Sequence, residues 1–165
     1  ASKANRLASV YTEDEQHNVI NWSHEFRHID PDYPLMNKHY FSGGAGLSST
    51  AYDYAVFMQM LLNGGVYNGH RILSQRTVEM MTSGQLKDGM FGDDNFGLGF
   101  GITSAKSAAK GPRNAGSFSW GGYYGTTYWA DPKAHLVCLF MTQQNPNSHG
   151  DVEQKFEAIV YSSLK

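Results

Sequence analysis

The feature that most constrains the fold of this 165-residue chain is a change of pattern near residue 95. From Phe96 onward, short apolar stretches alternate with glycine-rich and Asp-Pro turn sequences, whereas the part before it contains two helical patterns. Strands joined by connections this short pair antiparallel, because a parallel pair needs a crossover of a dozen or more residues. The sequence therefore predicts an α+β fold in which an antiparallel sheet follows a helical part.

The sheet is predicted from four apolar stretches and is closed by a C-terminal helix. The stretches cover residues 96–102, 117–123, 126–130 and 135–142, and the helical pattern covers residues 152–164. The continuous apolar run Leu136–Met141 predicts a strand buried on both faces. Residues 103–115, rich in Ser, Ala, Lys and Gly, are expected to form a solvated loop.

Two helices are predicted before the sheet. Apolar residues recur at helical spacing from Ala51 to Asn63, and the pair Thr50 and Asp53 has the spacing of a capping box. Ser74 is expected to cap a second helix over residues 75–82. We expect one domain over residues 1–165, with mostly helices and loops in 1–95 and the antiparallel strands and closing helix in 96–165.

Charge and hydropathy exclude two classes of partner. A net charge of −2 and an isoelectric point near 6.4 argue against a nucleic-acid-binding surface, which needs a basic stripe. No run of about 18 apolar residues exists, so no membrane span is expected. The single cysteine, Cys138, excludes an internal disulfide.

The segment His24-Glu25-Phe26-Arg27-His28 matches the H-E-x-x-H pattern of zinc peptidases. On a helix the two histidines share a face, and the glutamate could activate a metal-bound water. The third ligand is missing, because Pro31 and Pro34 occupy the positions where one class of these peptidases has Gly and His, and no Glu occurs between Glu25 and Glu79. The alternatives are therefore a zinc peptidase and a histidine-rich surface segment.

A second match, Ser107-Ala108-Ala109-Lys110, fits the S-x-x-K pattern of serine acyl-transfer enzymes. The lysine amine would lie one helical turn from the serine hydroxyl and take its proton. The expected polar loop and the neighbouring Lys106 argue against this role, which requires a buried helix start and a desolvated lysine.

The segment Ser119-Trp120-Gly121-Gly122-Tyr123-Tyr124-Gly125 combines three glycines with three aromatic residues. Glycines within a strand mark a bulge or the close approach of another group to the backbone. One interpretation is a strand edge exposed to a ligand, where a free backbone N–H could bind a developing oxyanion. The other is a bulged strand with aromatic packing, and the residues alone leave both open.

Several segments, taken in order, resemble the C-terminal half of β-lactamase-related serine hydrolases. They are Ser42–Tyr54, Met60–Gly65, Ile72–Ser74, Phe96–Phe100, Phe118–Gly122, Thr127–Pro132 and Phe140–Gln143. Each is short, but their shared order and spacing are specific, and the similarity runs from about Arg6 to the end of the chain. This family contains class C β-lactamases, D-alanyl-D-alanine peptidases and family VIII carboxylesterases, and the resemblance implies a partial β-lactamase/transpeptidase-like fold.

The resemblance also implies an active-site strand, in which Trp120-Gly121-Gly122 replaces the Lys-Thr-Gly motif of the family. Trp120, Gly121 and Gly122 would then contact the substrate, and the backbone N–H of Tyr123 would be one oxyanion-hole donor. Because the motif lysine that attracts a β-lactam carboxylate is absent, the expected substrate is a small-molecule ester or amide. No cofactor and no metal ion are expected, and the family's periplasmic, secreted and cytoplasmic members leave the compartment open.

Two motifs of the family are not found where the resemblance requires them. No Ser-x-x-Lys precedes Ser42, and none of the ten tyrosines has an asparagine two residues later. We therefore expect this chain to be the C-terminal part of a serine hydrolase, inactive alone, whose partner is the missing N-terminal half. The alternative is a non-catalytic interaction module on the same scaffold, whose open sheet edge would pair with another chain to give a homo-oligomer.

Overall fold

The computed structural model of the protein describes residues 4–23, 30–37, 39–148 and 150–164. The α-helices are α1 (Ala51–Leu62), α2 (Gln75–Met81), α3 (Ala105–Ala108) and α4 (Val152–Ser162). The strands are β1 (Tyr11–Glu13), β2 (Val19–Asn21), β3 (Val66–Tyr67), β4 (His70–Arg71), β5 (Asn95–Phe96), β6 (Gly101–Ile102), β7 (Phe118–Gly121), β8 (Thr127–Asp131) and β9 (Leu136–Phe140). Two short 3-10 helices, Ala4–Arg6 and Tyr33–Leu35, lie before α1.

Strands β5 to β9 form one antiparallel sheet in sequence order, and β1–β2 and β3–β4 form separate hairpins. In the large sheet, Ser119 of β7 lies opposite Trp129 of β8, which lies opposite Cys138 of β9. The predicted α+β class, with an antiparallel sheet and a closing C-terminal helix, is confirmed.

Helices cover both faces of this sheet. On one face, Met58 of α1 and Val78 of α2 belong to the same buried cluster as Phe118 and Tyr128 of the sheet. On the other face, Phe156 of α4 packs against the rings of Trp129 and Phe140, with centroid distances of 5.9 and 5.2 Å. Because alternate residues of a strand point to opposite faces, the sheet is the middle of three layers.

The start of α1 follows from its sequence. The hydroxyl of Thr50 accepts a hydrogen bond from the backbone N–H of Asp53 at 3.1 Å and donates to the Asp53 carboxylate at 2.8 Å. Ser74 caps α2 in the same way, because its hydroxyl accepts from the N–H of Thr77 at 3.0 Å. Both predicted caps are confirmed, and they satisfy N–H groups that no earlier helical turn can reach.

One predicted strand is wrong. Residues 96–102 do not form a single strand but a tight hairpin of β5 and β6, in which the N–H of Gly97 donates to the carbonyl of Phe100 at 2.7 Å. Gly99 has a φ of +95°, which glycine adopts without the steric cost of a Cβ. The alternating apolar and small residues therefore form two short strands and a tight turn, whereas their pattern predicted one continuous strand.

The prediction that β9 is buried on both faces is also wrong. Every residue of β8 is buried, whereas in β9 only Cys138 is, despite the continuous apolar sequence of β9. The reason is strand order, because β8 has strands on both sides and β9 is the outermost strand of this sheet.

The prediction for residues 103–115 is also corrected by the structure. This segment was expected to be a solvated loop, but it contains α3, which is capped by Ser104.

Candidate active site

The glycine-rich segment begins in β7, which lies between β6 and β8. Strand β6 begins at Gly101, which pairs with Ser119 of β7. The next two residues of β7, Trp120 and Gly121, therefore pair with β8 alone. Both of these residues are exposed. On this side β7 therefore has an exposed edge of two residues.

The predicted strand ends earlier than expected, and Tyr123 lies in the turn that leads to β8. The N–H of Gly122 donates to the carbonyl of Thr126 at 2.7 Å, and the N–H of Gly125 donates to the carbonyl of Gly122 at 3.1 Å. Neither Tyr123 nor the residue after it has a positive φ, whereas Gly125 has a φ of +79°. This combination is a type I turn followed by a left-handed glycine, a common three-residue hairpin loop.

The three glycines have a structural explanation in this turn. A Cβ on Gly121 would lie 2.9 Å from the carbonyl oxygen of Thr126, and one on Gly122 would lie 3.3 Å from the Cβ of the same residue. A Cβ on Gly125 would lie 2.5 Å from the hydroxyl of Thr142. The group that approaches the glycines is thus the chain itself, so the glycines alone do not indicate a ligand.

The backbone N–H of Tyr123 is open to an acceptor. It donates no backbone hydrogen bond within the described part of the chain, as is usual for the second residue of a type I turn. The Tyr123 carbonyl accepts from the side-chain amide of Asn145, and the tyrosine ring packs edge-on against Tyr124 at 5.2 Å. The N–H is therefore held in a fixed direction at an exposed position.

Beside this turn lies an aromatic cluster formed by Phe91, Phe96 and Trp120. The Trp120 ring is 4.9 Å from that of Phe96 and 6.1 Å from that of Phe91. Trp120 is 44% exposed and Phe91 is 38% exposed, so the cluster presents aromatic surface to solvent. Phe91 was missed by sequence reasoning, because nothing in the sequence indicates that a loop residue almost 30 positions earlier contacts Trp120.

The Ser107 motif does not have the arrangement of a nucleophile and base. Lys110 and Lys106 both bind Asp93, each with an N–O distance of 2.6 Å. Their hydrogen bonds lower the pKa of Asp93 to about 2. The Nζ atom of Lys110 is thus bound to Asp93, and among the described residues no hydrogen bond joins it to the hydroxyl of Ser107.

The zinc-peptidase motif, His24, Glu25 and His28, lies outside the described residues. Among the residues that are described, no group of three or more His, Cys, Asp and Glu side chains could hold a metal ion. No helix in the same ranges is both long enough and apolar enough to cross a membrane.

Comparison with known proteins gives consistent matches. The sequence model of the family described as Beta-lactamase matches residues 1–161. Protein Rv1367c of Mycobacterium tuberculosis is 32% identical over 160 residues, which covers 89% of this chain and 38% of that protein. The solved structure of EstCE1, described as a hydrolase with promiscuous acyltransferase activity, matches with a TM-score of 0.80 at 22% identity, over 98% of this chain and 45% of that one. Simvastatin synthase (LovD) from Aspergillus terreus matches with a TM-score of 0.79 at 20% identity, over 99% of this chain and 44% of that one.

This chain spans less than half the length of each of these three proteins. At identities of 20% and 22%, the solved structures establish the fold, a partial β-lactamase-like fold, and not an activity. The family match extends over nearly the whole sequence and agrees with the order of motifs noted above. This chain belongs to the Beta-lactamase family.

Proposed function

We propose that this chain forms one wall of the active site of a serine hydrolase that acts on a small-molecule ester or amide through a serine ester. In this proposal Trp120, Gly121 and Gly122 contact the substrate, and the backbone N–H of Tyr123 is one oxyanion-hole donor. Residues 1–165 act as one partial domain that is inactive alone. The nucleophilic serine and its proton carriers, a lysine and a tyrosine, belong to an N-terminal half outside these residues.

The observation that carries the proposal is the unpaired, fixed N–H of Tyr123 beside the exposed backbone of Trp120 and Gly121. In acyl transfer, negative charge develops on the carbonyl oxygen, and a donor fixed in advance stabilises it without reorganisation. The turn supplies that rigidity, because hydrogen bonds between Gly122, Thr126 and Gly125 close it on both sides.

We expect a neutral substrate because of the residue that replaces the lysine of the family's Lys-Thr-Gly motif. A tryptophan at position 120 offers an aromatic surface where the family motif offers an ammonium group. The nearby lysines, Lys106 and Lys110, are both bound to Asp93. An anionic substrate would lose hydration here without gaining an ionic partner, so an ester or small amide is preferred.

The role of Tyr123 can be tested by removing only its N–H. Tyr123→Pro does so, and proline is favoured at the second position of a type I turn, so the turn is retained. Tyr123→Ala is the matched control, because it removes the same ring but keeps the N–H. Both variants are made in this chain fused to the part of protein Rv1367c that the match leaves uncovered, and hydrolysis of p-nitrophenyl acetate is measured.

We expect Tyr123→Pro to lower kcat by about 100-fold, the effect of losing one oxyanion-hole donor. Tyr123→Ala should retain kcat within about threefold, and equal losses in both variants would contradict the assignment. Intact mass after incubation with a fluorophosphonate should show no adduct on the chain alone. A single adduct at Ser107 would overturn the proposal.

A second function, a non-catalytic interaction module, is favoured by the outer strand β9. Within the described residues β9 pairs with β8 alone, and β1 reaches only the segment after β9, where Tyr11 bonds the backbone of Gln143 and Asn145. An unpaired edge of this kind is able to pair with a second chain. This function requires a homo-oligomer whose mass falls on dilution, and a monomer at every concentration in size-exclusion chromatography would contradict it.

A further inference from the structure

The segment that follows β9 holds the turn that carries Tyr123. The side-chain amide of Asn145 donates a hydrogen bond to the Tyr123 carbonyl. The carbonyl of Tyr124 accepts two more, from the backbone N–H of Gln144 at 3.0 Å and from the hydroxyl of Thr142 at 2.9 Å. Because each peptide group is planar, these bonds fix two consecutive peptide planes of the turn from outside it.

The N–H of Tyr123 lies in the peptide plane just before these two. The carbonyl of that plane, on Gly122, accepts the N–H of Gly125 at 3.1 Å, which is a bond within the turn itself. The turn thus keeps its own shape, whereas its tilt at the end of the β7–β8 hairpin depends on the bonds from residues 142–145. The direction of the proposed oxyanion donor therefore depends on where this segment lies.

Strand β1 attaches the same segment to the N-terminal hairpin. The N–H of Tyr11 donates to the carbonyl of Gln143 at 2.7 Å, and the N–H of Asn145 donates to the carbonyl of Tyr11 at 3.1 Å. Tyr11 and Gln144 thereby form a parallel bridge. The backbone of Asn145 is thus bonded to β1, while its side chain is bonded to the turn.

The side chain of Glu13 in β1 binds this segment a second time. It is 3% exposed, and one carboxylate oxygen accepts from the side-chain amide of Gln144 at 2.8 Å and from the N–H and hydroxyl of Ser148 at 2.8 and 3.1 Å. The other oxygen lies 3.3 Å from Nδ1 of His17. The bond from the Ser148 N–H contributes most to a lowered pKa of Glu13, which keeps the carboxylate ionised.

These bonds fix the chain on both sides of Asn145. A carboxylate removed from water is costly unless hydrogen bonds satisfy its oxygens, so Glu13 requires the donors that surround it. Hydrogen bonds weaken steeply when they are misaligned, so Gln144 and Ser148 are held at defined positions. Asn145 lies between these two residues in sequence, and its position is defined by them.

An aromatic contact also joins the N-terminal hairpin to the turn. The ring of Trp22 meets that of Tyr124 edge-on, with a centroid distance of 5.8 Å. Trp22 is 6% exposed, and its backbone N–H donates to the carbonyl of Val10 at 2.9 Å. Replacement of Glu13 or Asn145 leaves this apolar contact in place, so such variants are expected to fold.

We propose that Asn145 and Glu13 are positioning residues for the Tyr123 N–H. Asn145 orients the turn through the Tyr123 carbonyl, and Glu13 holds the segment that carries Asn145. The inference rests on the proposed function, because it concerns the direction of the oxyanion donor. An oxyanion-hole bond reaches full strength only in the transition state, so loss of its orientation lowers kcat and leaves KM nearly unchanged.

The role of Asn145 can be tested on the chain itself, without catalysis. Order parameters from 15N relaxation report the rigidity of the Tyr123 and Tyr124 amides, and a rigid backbone gives about 0.85. Asn145→Ala should lower both towards about 0.6, and Asn145→Asp should do the same, because a carboxylate has no donor for the carbonyl. Asn21→Ala is the matched control, an exposed asparagine of the same N-terminal hairpin. Unchanged order parameters in both Asn145 variants would overturn the proposal.

The role of Glu13 can be tested by hydrogen exchange of the Gln144 amide. This N–H is bonded to the Tyr124 carbonyl, so its exchange reports how often the segment separates from the turn. Glu13→Ala should accelerate the exchange about tenfold, and Glu13→Gln, which keeps one acceptor oxygen, should accelerate it less. Glu15→Ala removes an exposed carboxylate two residues away and should leave the rate unchanged. The same exchange rate in Glu13→Ala as in the unmutated chain would contradict the role of Glu13.

The fused enzyme described above separates positioning from a contact with substrate. With p-nitrophenyl acetate, Asn145→Ala and Glu13→Ala should each lower kcat about tenfold and change KM by less than about twofold. A higher KM at constant kcat would indicate a substrate contact and overturn the positioning role.

A double-mutant cycle identifies the group through which Asn145 acts. In Tyr123→Pro the donor is already absent, so adding Asn145→Ala should lower kcat by less than about twofold further. A further loss of about tenfold would show that the two residues act independently, and it would overturn the proposal. No hydrolysis by the unmutated fusion would contradict the proposed function, whereas order parameters and exchange in the chain alone would still decide whether Asn145 and Glu13 hold the turn.

Discussion

On the α1 face of the sheet, Met58, Leu61 and Phe118 are at most 2% exposed and contact other apolar side chains. On the α4 face the corresponding layer contains a carboxylate, Asp131, that is fully buried. The first face is stabilised by burial of apolar area, which is roughly proportional to area and has no preferred direction. The second depends on hydrogen bonds, which are lost when donor and acceptor move apart by about 1 Å.

Asp131 is the centre of the polar face. It accepts five hydrogen bonds, from the backbone N–H groups of Asn114, Lys133 and Ala134, the side-chain amide of Asn114 and the hydroxyl of Tyr161. Burial by itself raises the pKa of Asp131, but these hydrogen bonds outweigh it, and the pKa is lowered. One side chain thereby joins the β8–β9 turn, the segment before β7, and α4.

The two faces of the sheet therefore have different roles in positioning the candidate site. The apolar face can adapt to side chains of similar volume, because many arrangements bury the same area. The polar face sets where α4 lies, and with it Glu157, which accepts two hydrogen bonds from Arg113. Changes on the polar face should therefore disturb both stability and the position of Arg113.

The largest effect is expected for Asp131→Ala. Five donors lose their acceptor, and three of the four residues that supply them are half-buried, so we expect a loss of about 3–5 kcal/mol in the free energy of unfolding. Asp131→Asn keeps one acceptor oxygen and should lose less. Urea unfolding followed by circular dichroism measures both, and a loss below about 1 kcal/mol for the alanine variant would refute the central role of Asp131.

A smaller effect is expected for Met58→Ala on the apolar face. Met58 is fully buried, and its truncation should cost about 2–4 kcal/mol through lost burial and a residual cavity. Met58→Leu keeps the volume and should cost less than about 1.5 kcal/mol. If the leucine variant were as unstable as the alanine variant, the distinction between an adaptable face and a directional face would fail.

The smallest effect concerns the exposed ion pairs of Asp93. Lys106 and Lys110 lower its pKa from the ordinary value of 3.8 to about 2. Because the folded-state pKa is the lower one, the stabilisation is complete above pH 3.8 and is lost as the pH falls towards 2. The urea midpoint of Asp93→Asn should therefore lie slightly below that of the unmutated protein at pH 6, and the difference should be small at pH 2 and vanish below it.

The control for that measurement is Asp88→Asn, which removes an exposed carboxylate from the same loop without touching either lysine. A stability difference for Asp93→Asn that persisted at pH 2 would show that the two ion pairs are not its source. The same experiment in 1 M salt should reduce the difference at pH 6, since exposed pairs are screened.

Several local elements were predicted correctly from contacts between neighbours in sequence, although the β5–β6 hairpin and α3 were not. The cap of α1 joins Thr50 to Asp53, and the turn before β9 is closed by Asp131 and the two residues that follow Pro132. Both depend on contacts within about four residues, which the sequence displays directly. The resemblance to the β-lactamase family likewise used short motifs in order.

Predictions that depended on distant contacts were less successful. Burial of β9 was inferred from its apolar run, but burial is set by which strand lies in the middle of the sheet. The position of Phe91 beside Trp120 depends on the ion pairs that attach its loop to α3. Neither the burial of β9 nor the contact between Phe91 and Trp120 can be inferred from a local sequence pattern.

By itself, the sequence determined the α+β class, the caps of α1 and α2, the turn before β9 and the membership of the Beta-lactamase family, because each of these rests on short-range contacts or on the order of motifs. Only the tertiary structure decided that Tyr123 lies in a turn with an unpaired N–H and that Phe91 packs beside Trp120. These features arise where segments far apart in the chain meet, and the energy of such contacts depends on relative positions that exist only after folding.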